Sequence, residues 1–237
     1  MSEIVEFTDF PEKFAGWVPL FPLPNLVMFP HVIQPLRIFE PRYRQMLEAA
    51  LESDRLLAMG LLASGWENDY DGQPPIHPVV CVGHVMTSMR MEDGQYNIML
   101  QGIRRGLLKG ELPPNDERLF RTVEIELIDD YYPPDGTPQR SALHDKLMES
   151  FRSALSNAPA VQEQMQDLLS LELTLGILTD LVAFTMNIDL ELKQQLLSQH
   201  NVDRRAMLLI ERLHRREEKS ADRSSPPGGF PPPFSLN

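Results

Sequence analysis

Residues 18–51 alternate short apolar runs with prolines and then change to a helical pattern. Their sequence is VPLFPLPNLVMFPHVIQPLRIFEPRYRQMLEAAL. Each proline lacks a backbone donor and fixes φ, so no single long strand or helix can run through this stretch. The pattern predicts three short extended pieces, VPLF, LVMF and VIQPLRIF. An amphipathic helix with proline in its first turn is predicted to follow from Pro41 to Leu51.

Further strand patterns follow this helix, and together they indicate a small, partly closed barrel. The candidate strands are residues 56–62, 79–91, 95–102, 106–112 and 122–128. In the last of them Val123 and Ile125 alternate with glutamates. This alternation predicts an edge-like strand whose acidic residues face solvent.

Asp93-Gly94 is a hairpin signal between two of these strands. A two-residue turn at this point predicts cross-strand pairs of Met91 with Tyr96, Arg90 with Asn97, and Met89 with Ile98. The apolar pairs then share one face, and Met99 lies on the other.

Four of the twelve methionines, Met86, Met89, Met91 and Met99, lie within this hairpin. Methionine is unbranched and polarizable, which suits a surface that must accept many apolar sequences. The same side chains are also typical fillers of gaps in a barrel core. The sequence leaves both interpretations open.

The turn-rich segment 131–138 separates the strand pattern from a helical pattern that extends from Ser141 to Glu218. Ser141 and Asn201 are predicted N-caps, and residues 202–213 carry a buried apolar stripe. We therefore expect an arm over residues 1–16, a barrel over 17–132, a helical bundle over 138–218 and a disordered, proline-rich tail over 219–237.

Charge and composition exclude several classes of protein. The net charge is −12, and residues 111–135 hold eight acidic and two basic residues, which disfavours binding to nucleic-acid phosphates. No apolar run is long enough to span a bilayer, and the acidic amino end does not resemble a secretory signal. One cysteine excludes an internal disulfide framework. We expect a cytoplasmic protein that does not bind membranes.

No arrangement of residues predicts a catalytic, cofactor or metal site. A glycine-rich phosphate loop ending in Gly-Lys is absent, because none of the five lysines follows a glycine. On a strand, Cys81 and His84 point to opposite faces and cannot share an ion with His77. Cys81 is predicted to be a small buried hydrophobe.

The order of these features closely resembles the N-terminal domain of Lon-type ATP-dependent proteases. The resemblance is carried by residues 18–51, by the strand VVCVGHV with Gly83, and by NIMLQGIRRGLLKG with Gly102 and Arg105. The helical segments LELTLGILTDLVAFTMNI and NVDRRAMLLIERL lie in the corresponding places. The family's ATPase and peptidase domains do not fit in 237 residues, so the chain is expected to be the stand-alone module.

The resemblance implies an α+β fold, with a PUA-like β-barrel of the Lon N-terminal type followed by an α-helical bundle. It also implies binding of unfolded or partly folded proteins and peptides, without a cofactor. A substrate adaptor or a holding factor would work in this way, and the sequence leaves open whether a cellular protease is its partner. The predicted peptide-binding residues are Met89, Met91, Tyr96 and Met99, with Arg42 and Arg44 as a polar rim. The alternative is a PUA-like nucleic-acid-binding module, and a hydrolase is a third possibility without a supporting arrangement of residues. The oligomeric state is left open.

Overall fold

A computed structural model describes residues 14–68, 72–155 and 173–221. Most of the predicted arm and of the predicted proline-rich tail lies outside the described residues. The strands are β1 (Trp17–Leu23), β2 (Ile33–Ile38), β3 (Leu56–Leu61), β4 (Val79–Arg90), β5 (Tyr96–Leu112) and β6 (Thr122–Ile128). The helices are α1 (Pro41–Leu51), α2 (Thr137–Leu155), α3 (Leu175–Thr185), α4 (Leu190–Ser198) and α5 (Val202–Ala221).

The described residues form two compact units. The first comprises residues 14–129 together with 187–198, so it contains the six strands, α1 and α4. The second comprises residues 130–155, 173–186 and 199–221, with the remaining three helices. The predicted division into a barrel over residues 17–132 and a helical bundle over residues 138–218 stays a prediction.

In the first unit, five strands are paired in a ring. The backbone pairings run β5–β4–β3–β1–β6 and return to β5, because β6 pairs with both β1 and β5. The prediction that β6 is edge-like is therefore wrong, although Glu124 and Glu126 are exposed as expected. The ring encloses a core of Val18, Leu20, Leu56, Ala58, Val80, Val82, Ile103, Val123 and Ile125.

One continuous strand, β5, replaces the two that the sequence predicted around Gly102 and Gly106. Both glycines allow close packing: a Cβ on Gly102 would overlap the carbonyl oxygen of Phe29, and one on Gly106 would overlap the Ile125 side chain. Residues 96–101 of β5 pair with β2, and residues 105–112 pair with β6. Because both glycines permit this close packing, β5 can pair first with β2 and then, further along the chain, with β6.

The predicted short pieces around the prolines are largely confirmed. VPLF lies within β1, VIQPLRIF contains β2, and α1 has the predicted bounds. LVMF forms no strand, although Val27, Met28 and Phe29 are buried. Pro24 and Pro30 flank this piece, and neither can donate to a ladder.

Within the first unit, helix α4 packs on the sheet through buried polar contacts. The Gln194 side-chain amide donates to the carbonyl oxygen of Val79 at 2.8 Å. The Nε of the buried Arg105 guanidinium donates to the carbonyl oxygen of Leu197 at 2.9 Å. These contacts join the carboxyl-terminal part of the chain to β4 and β5.

In the second unit, α2, α3 and α5 bury apolar stripes. The α5 stripe is confirmed, with Val202, Ala206, Leu209, Ile210 and Leu213 buried. Asn201 caps α5, since its side-chain oxygen accepts from the Arg204 amide at 3.0 Å. Helix α2 starts at Thr137, with Pro138 in its first turn, so the prediction that Ser141 is its N-cap is wrong. Within the described residues, no helix has both the length and the apolar character needed to cross a bilayer.

Candidate functional site

The hairpin between β4 and β5 turns through three residues. The Gly94 amide donates to the carbonyl oxygen of Met91 at 3.0 Å, and the Met91 amide donates to that of Gln95 at 2.8 Å. Gly94 has a φ of 78°, the left-handed conformation that such a turn places at its last position. The predicted two-residue turn is therefore wrong, and the register differs from the predicted one by one residue.

This register changes which side chains share a face. The observed pairs are Arg90 with Tyr96, Met89 with Asn97, Ser88 with Ile98, and Thr87 with Met99. Paired residues point to the same side of a sheet, so Met89 lies with Asn97 and Met99. Met91 belongs to this side too, because the Asn97 amide Nδ2 lies 3.4 Å from its Sδ. The predicted separation of Met99 from Met89 and Met91 is wrong.

Strand β2 extends this outward side. Pro35 lies opposite Met99, and Ile33 and Phe39 follow the same alternation along the chain. Met86 lies at an irregularity of the β4–β5 ladder, between Val85 and Thr87. We call the exposed apolar residues of this side the methionine face: Ile33, Pro35, Phe39, Met86, Met89, Met91 and Met99.

The methionines of this face are accessible. Met89 exposes 59% of its surface, and Met86, Met91 and Met99 each expose 37%. Their core-filling interpretation therefore does not hold in this structure. Flexible thioethers on a sheet surface can adjust their rotamers to apolar side chains of different shapes. The arrangement is suited to contact with apolar chain segments.

Tyr96 lies on the opposite, inward side of the hairpin. It is only 8% exposed, and its hydroxyl donates to Glu48 Oε1 on α1 at 2.8 Å. This hydrogen bond, followed by burial, raises the pKa of Tyr96 above its ordinary value, and Arg90, 5.8 Å from the ring centroid, opposes the rise. The sequence had predicted that Tyr96 lies with the methionines. The structure instead places it on the opposite side of the hairpin.

Polar contacts hold the tip of the hairpin in place. Arg44 of α1 lies 3.4 Å from the carbonyl oxygen of Gly94. From β2, the Arg37 Nε donates to Gln95 Oε1 at 2.8 Å, and its guanidinium lies 3.5 Å from Asp93. Tyr96 therefore connects the inward side of the hairpin to α1, and Arg37 connects its tip to β2. The methionine face lies on the remaining side of a hairpin that these contacts hold in place.

Arg42 and Arg44 do not form one rim. Arg44 reaches the hairpin tip, whereas Arg42 pairs with Glu40 at 2.9 Å and stacks 4.7 Å above the Tyr43 ring. Arg42 lines a separate cavity of about 150 Å³ between α1, β1 and the loop before β6. The structure therefore places only Arg44 beside the predicted binding residues.

Sequence reasoning missed Ile33, Pro35 and Phe39 as members of this surface. The signal was present in IQPLRIF, where residues 33, 35, 37 and 39 are exposed and alternate with buried Leu36 and Ile38. The alternation predicts an outward side of β2. Which residues lie beside this outward side depends on the pairing of β2 with β5, and these strands are distant in the sequence.

The residues considered for metal or nucleophile chemistry are not gathered. Cys81 is fully buried in the core, as predicted. Burial, reinforced by Arg55, lowers the pKa of His84, which disfavours its charged form. His77 lies 3.9 Å from Glu191, not beside Cys81 or His84. Among the described residues no group of three or more His, Cys, Asp or Glu side chains could hold a metal ion.

Comparison with protein families gives a match over most of the chain. The model of the "ATP-dependent protease La (LON) substrate-binding domain" matches residues 17–215. The Lon protease of Cytophaga hutchinsonii is 27% identical over 203 residues, covering 84% of this chain and 24% of that protein. The Lon protease of Desulfovibrio desulfuricans is 28% identical over 213 residues, covering 87% of this chain and 23% of that protein. The chain thus spans about a quarter of the length of these relatives.

Solved structures share the fold. The N-terminal domain of Mycobacterium avium complex Lon protease has a TM-score of 0.66 at 18% identity, covering 84% of this chain and 98% of that one. A Lon N-terminal domain protein from Xanthomonas campestris has a TM-score of 0.56 at 19% identity, covering 82% and 97%. The predicted α+β fold of the Lon N-terminal type is confirmed.

Proposed function

Because the chain belongs to the family of LON substrate-binding domains, we propose that it is a non-catalytic module that binds exposed hydrophobic segments of other proteins. The bound proteins would be unfolded or partly folded, because folded proteins bury most such segments. The contact surface would be the methionine face, with Arg44 near its edge at the hairpin tip.

The observation that supports this proposal is that the methionine face is exposed on a hairpin held in place by α1 and β2. Contiguous apolar surface on a monomer is costly in water and commonly marks an interaction site. Here Met89 and Met99 lie outward, while Tyr96 and Ile98 on the reverse side of β5 are buried. Apolar burial would contribute affinity, and methionine flexibility would allow segments of different sequence to bind.

We further propose that the module acts as a substrate adaptor or holding factor for a cellular protease in the cytoplasm. Such a module needs no nucleotide for its own binding step, since apolar association is driven by removal of surface from water. The nucleic-acid alternative is less well supported. Arg37, which lies on the same side of β2, is paired with Asp93, whereas binding of single strands uses clustered cations with aromatic residues.

The test is a binding titration with a reduced and alkylated model protein that cannot refold. Met89→Asp places a charge on the methionine face at its most exposed methionine, so we expect affinity to fall by about tenfold or more. The thermal midpoint should stay unchanged, because Met89 is exposed. Met207→Asp is the matched control, because Met207 is 49% exposed and lies on α5 in the second unit. Equal affinity of both variants and of the unaltered protein would contradict the proposed surface.

A further inference from the structure

The methionines of the described chain fall into two groups with very different access to solvent. Met28, Met46, Met59, Met148 and Met186 are buried. Those that are exposed are Met86, Met89, Met91, Met99 and Met207. Four of these exposed thioethers therefore lie on one small surface of the hairpin.

We propose that Met86, Met89, Met91 and Met99 form a modification site for peroxides, at which oxidation to methionine sulfoxide switches off binding of apolar segments. The binding part of this inference rests on the proposed function, whereas the modification itself depends only on exposure and chemistry. The reactant is hydrogen peroxide or an organic hydroperoxide, which must reach the sulfur atom directly.

The reaction is a two-electron oxygen transfer. A sulfur lone pair attacks one peroxide oxygen, a sulfur–oxygen bond forms and the oxygen–oxygen bond breaks. With hydrogen peroxide, the leaving hydroxide takes the proton of the transferred oxygen and departs as water. The thioether is oxidised, the peroxide is reduced, and no further reactant is required.

Asn97 would stabilise the oxidised form of Met91. Its side-chain amide Nδ2 lies 3.4 Å from Met91 Sδ, and a thioether is a weak acceptor that has two lone pairs. This contact engages one lone pair and leaves the other for reaction. A sulfoxide oxygen is a stronger acceptor, so the same amide would stabilise the oxidised side chain.

Oxidation would change the surface without unfolding the protein. A sulfoxide is polar, and covering it with an apolar segment removes its hydrogen bonds to water. Exposed methionines contribute little to stability, so the fold should persist. Binding is thus expected to respond while the thermal midpoint does not.

The experiment treats the full chain with dilute hydrogen peroxide and maps sulfoxides by peptide mass spectrometry. We expect oxidation at the four hairpin methionines and at Met207 before any at the buried five. Oxidation that begins at Met28, Met46 or Met59, or spares Met89, would overturn the site. Affinity for the reduced and alkylated model protein should fall by about tenfold or more, and treatment with methionine sulfoxide reductases should restore it. Failure to recover would overturn the switch.

Two variants separate the causes. The combined Met86→Leu, Met89→Leu, Met91→Leu and Met99→Leu variant is compared with itself before and after peroxide. Whatever its untreated affinity for the model protein, that affinity should not fall further in peroxide, because leucine has no sulfur to oxidise. The Met207→Leu variant should stay as sensitive as the unaltered protein. Loss of affinity in the oxidised fourfold variant would overturn the proposal. Absence of binding by the untreated protein would instead contradict the proposed function, and the sulfoxide map would still test the modification site.

Discussion

The hydroxyl of Tyr96 donates a hydrogen bond of 2.8 Å to the carboxylate of Glu48, and this contact joins the inward side of the hairpin to α1. Tyr96 is nearly buried at the end of β5 that carries the methionine face. By holding β5 against α1, this contact helps to orient the methionine face, which lies on the opposite side of β5.

Tyr96→Phe should lower the free energy of unfolding by about 1 kcal/mol, because it removes one side-chain hydrogen bond and keeps the ring. Denaturant unfolding monitored by circular dichroism would measure it. Tyr131→Phe is the control, since Tyr131 is largely exposed and its loss should have an effect within about 0.5 kcal/mol. Equal stability of the Tyr96→Phe variant and the unaltered protein would show that the contact contributes nothing measurable.

The same contact predicts a pH dependence. The hydrogen bond to Glu48 and burial raise the pKa of Tyr96 above its ordinary value of 10.0. The stabilisation is therefore fully present below the unfolded-state pKa and is lost as the pH rises through the higher folded-state pKa. The stability difference between Tyr96→Phe and the unaltered protein should be constant from about pH 7 to pH 9 and shrink above about pH 10. A difference that grows with alkaline pH would contradict this sign.

Gly102→Ala should destabilise the first unit by about 1–3 kcal/mol, because an added Cβ would overlap the carbonyl oxygen of Phe29. The backbone cannot easily move, since Gly102 also bonds His31 and Val32 through its own backbone at 2.8 Å. Gly110→Ala is the matched control on the same strand, because its nearest neighbour is the flexible end of Glu124. Thermal unfolding of both variants would distinguish steric overlap from a general preference for glycine in β5.

Arg205→Met should destabilise the second unit by about 3–5 kcal/mol. Arg205 is fully buried, bonds Asp130 at 2.8 Å and lies 3.5 Å from Asp180, which is also fully buried. Removing the guanidinium takes the cation away from a carboxylate that remains inside. Adding Asp180→Leu to this variant should recover part of the loss, as measured by hydrogen exchange of α5.

Arg215→Met is the matched surface control on α5. Arg215 pairs with Glu211 on the exposed side of that helix, and such pairs contribute at most about 1 kcal/mol. A loss in Arg215→Met as large as that in Arg205→Met would show that burial of the charge is not the cause.

Local patterns allowed correct prediction where the decisive contacts are local. The proline at the start of α1 and the apolar stripe of α5 depend on residues within a few positions, and both were predicted from the sequence. Asp93-Gly94 correctly located the hairpin. The length of its loop, however, depends on which backbone amides form the last hydrogen bonds between β4 and β5. A slip of one residue changes which side chains of the two strands share a face, which is why Met89 was grouped with Tyr96 and separated from Met99.

The remaining differences come from contacts between distant residues. No local signal indicates that β6 pairs with both β1 and β5, or that β2 lies beside Met99. Helical spacing would have separated Arg42 from Arg44, because residues two apart do not face each other on a helix. Long-range pairing thus decides the candidate site, even though each of its strands is visible in the sequence.

The placement of α4 has a consequence for synthesis on the ribosome. The first unit includes residues 187–198, yet residues 130–186 of the second unit emerge from the ribosome before them. At about 5–20 residues per second, the nascent chain would wait roughly 3–14 seconds after Asp129 before Gln194 and Leu197 could reach β4 and β5. During that interval the newly made sheet would lack the partners of Val79 and Arg105.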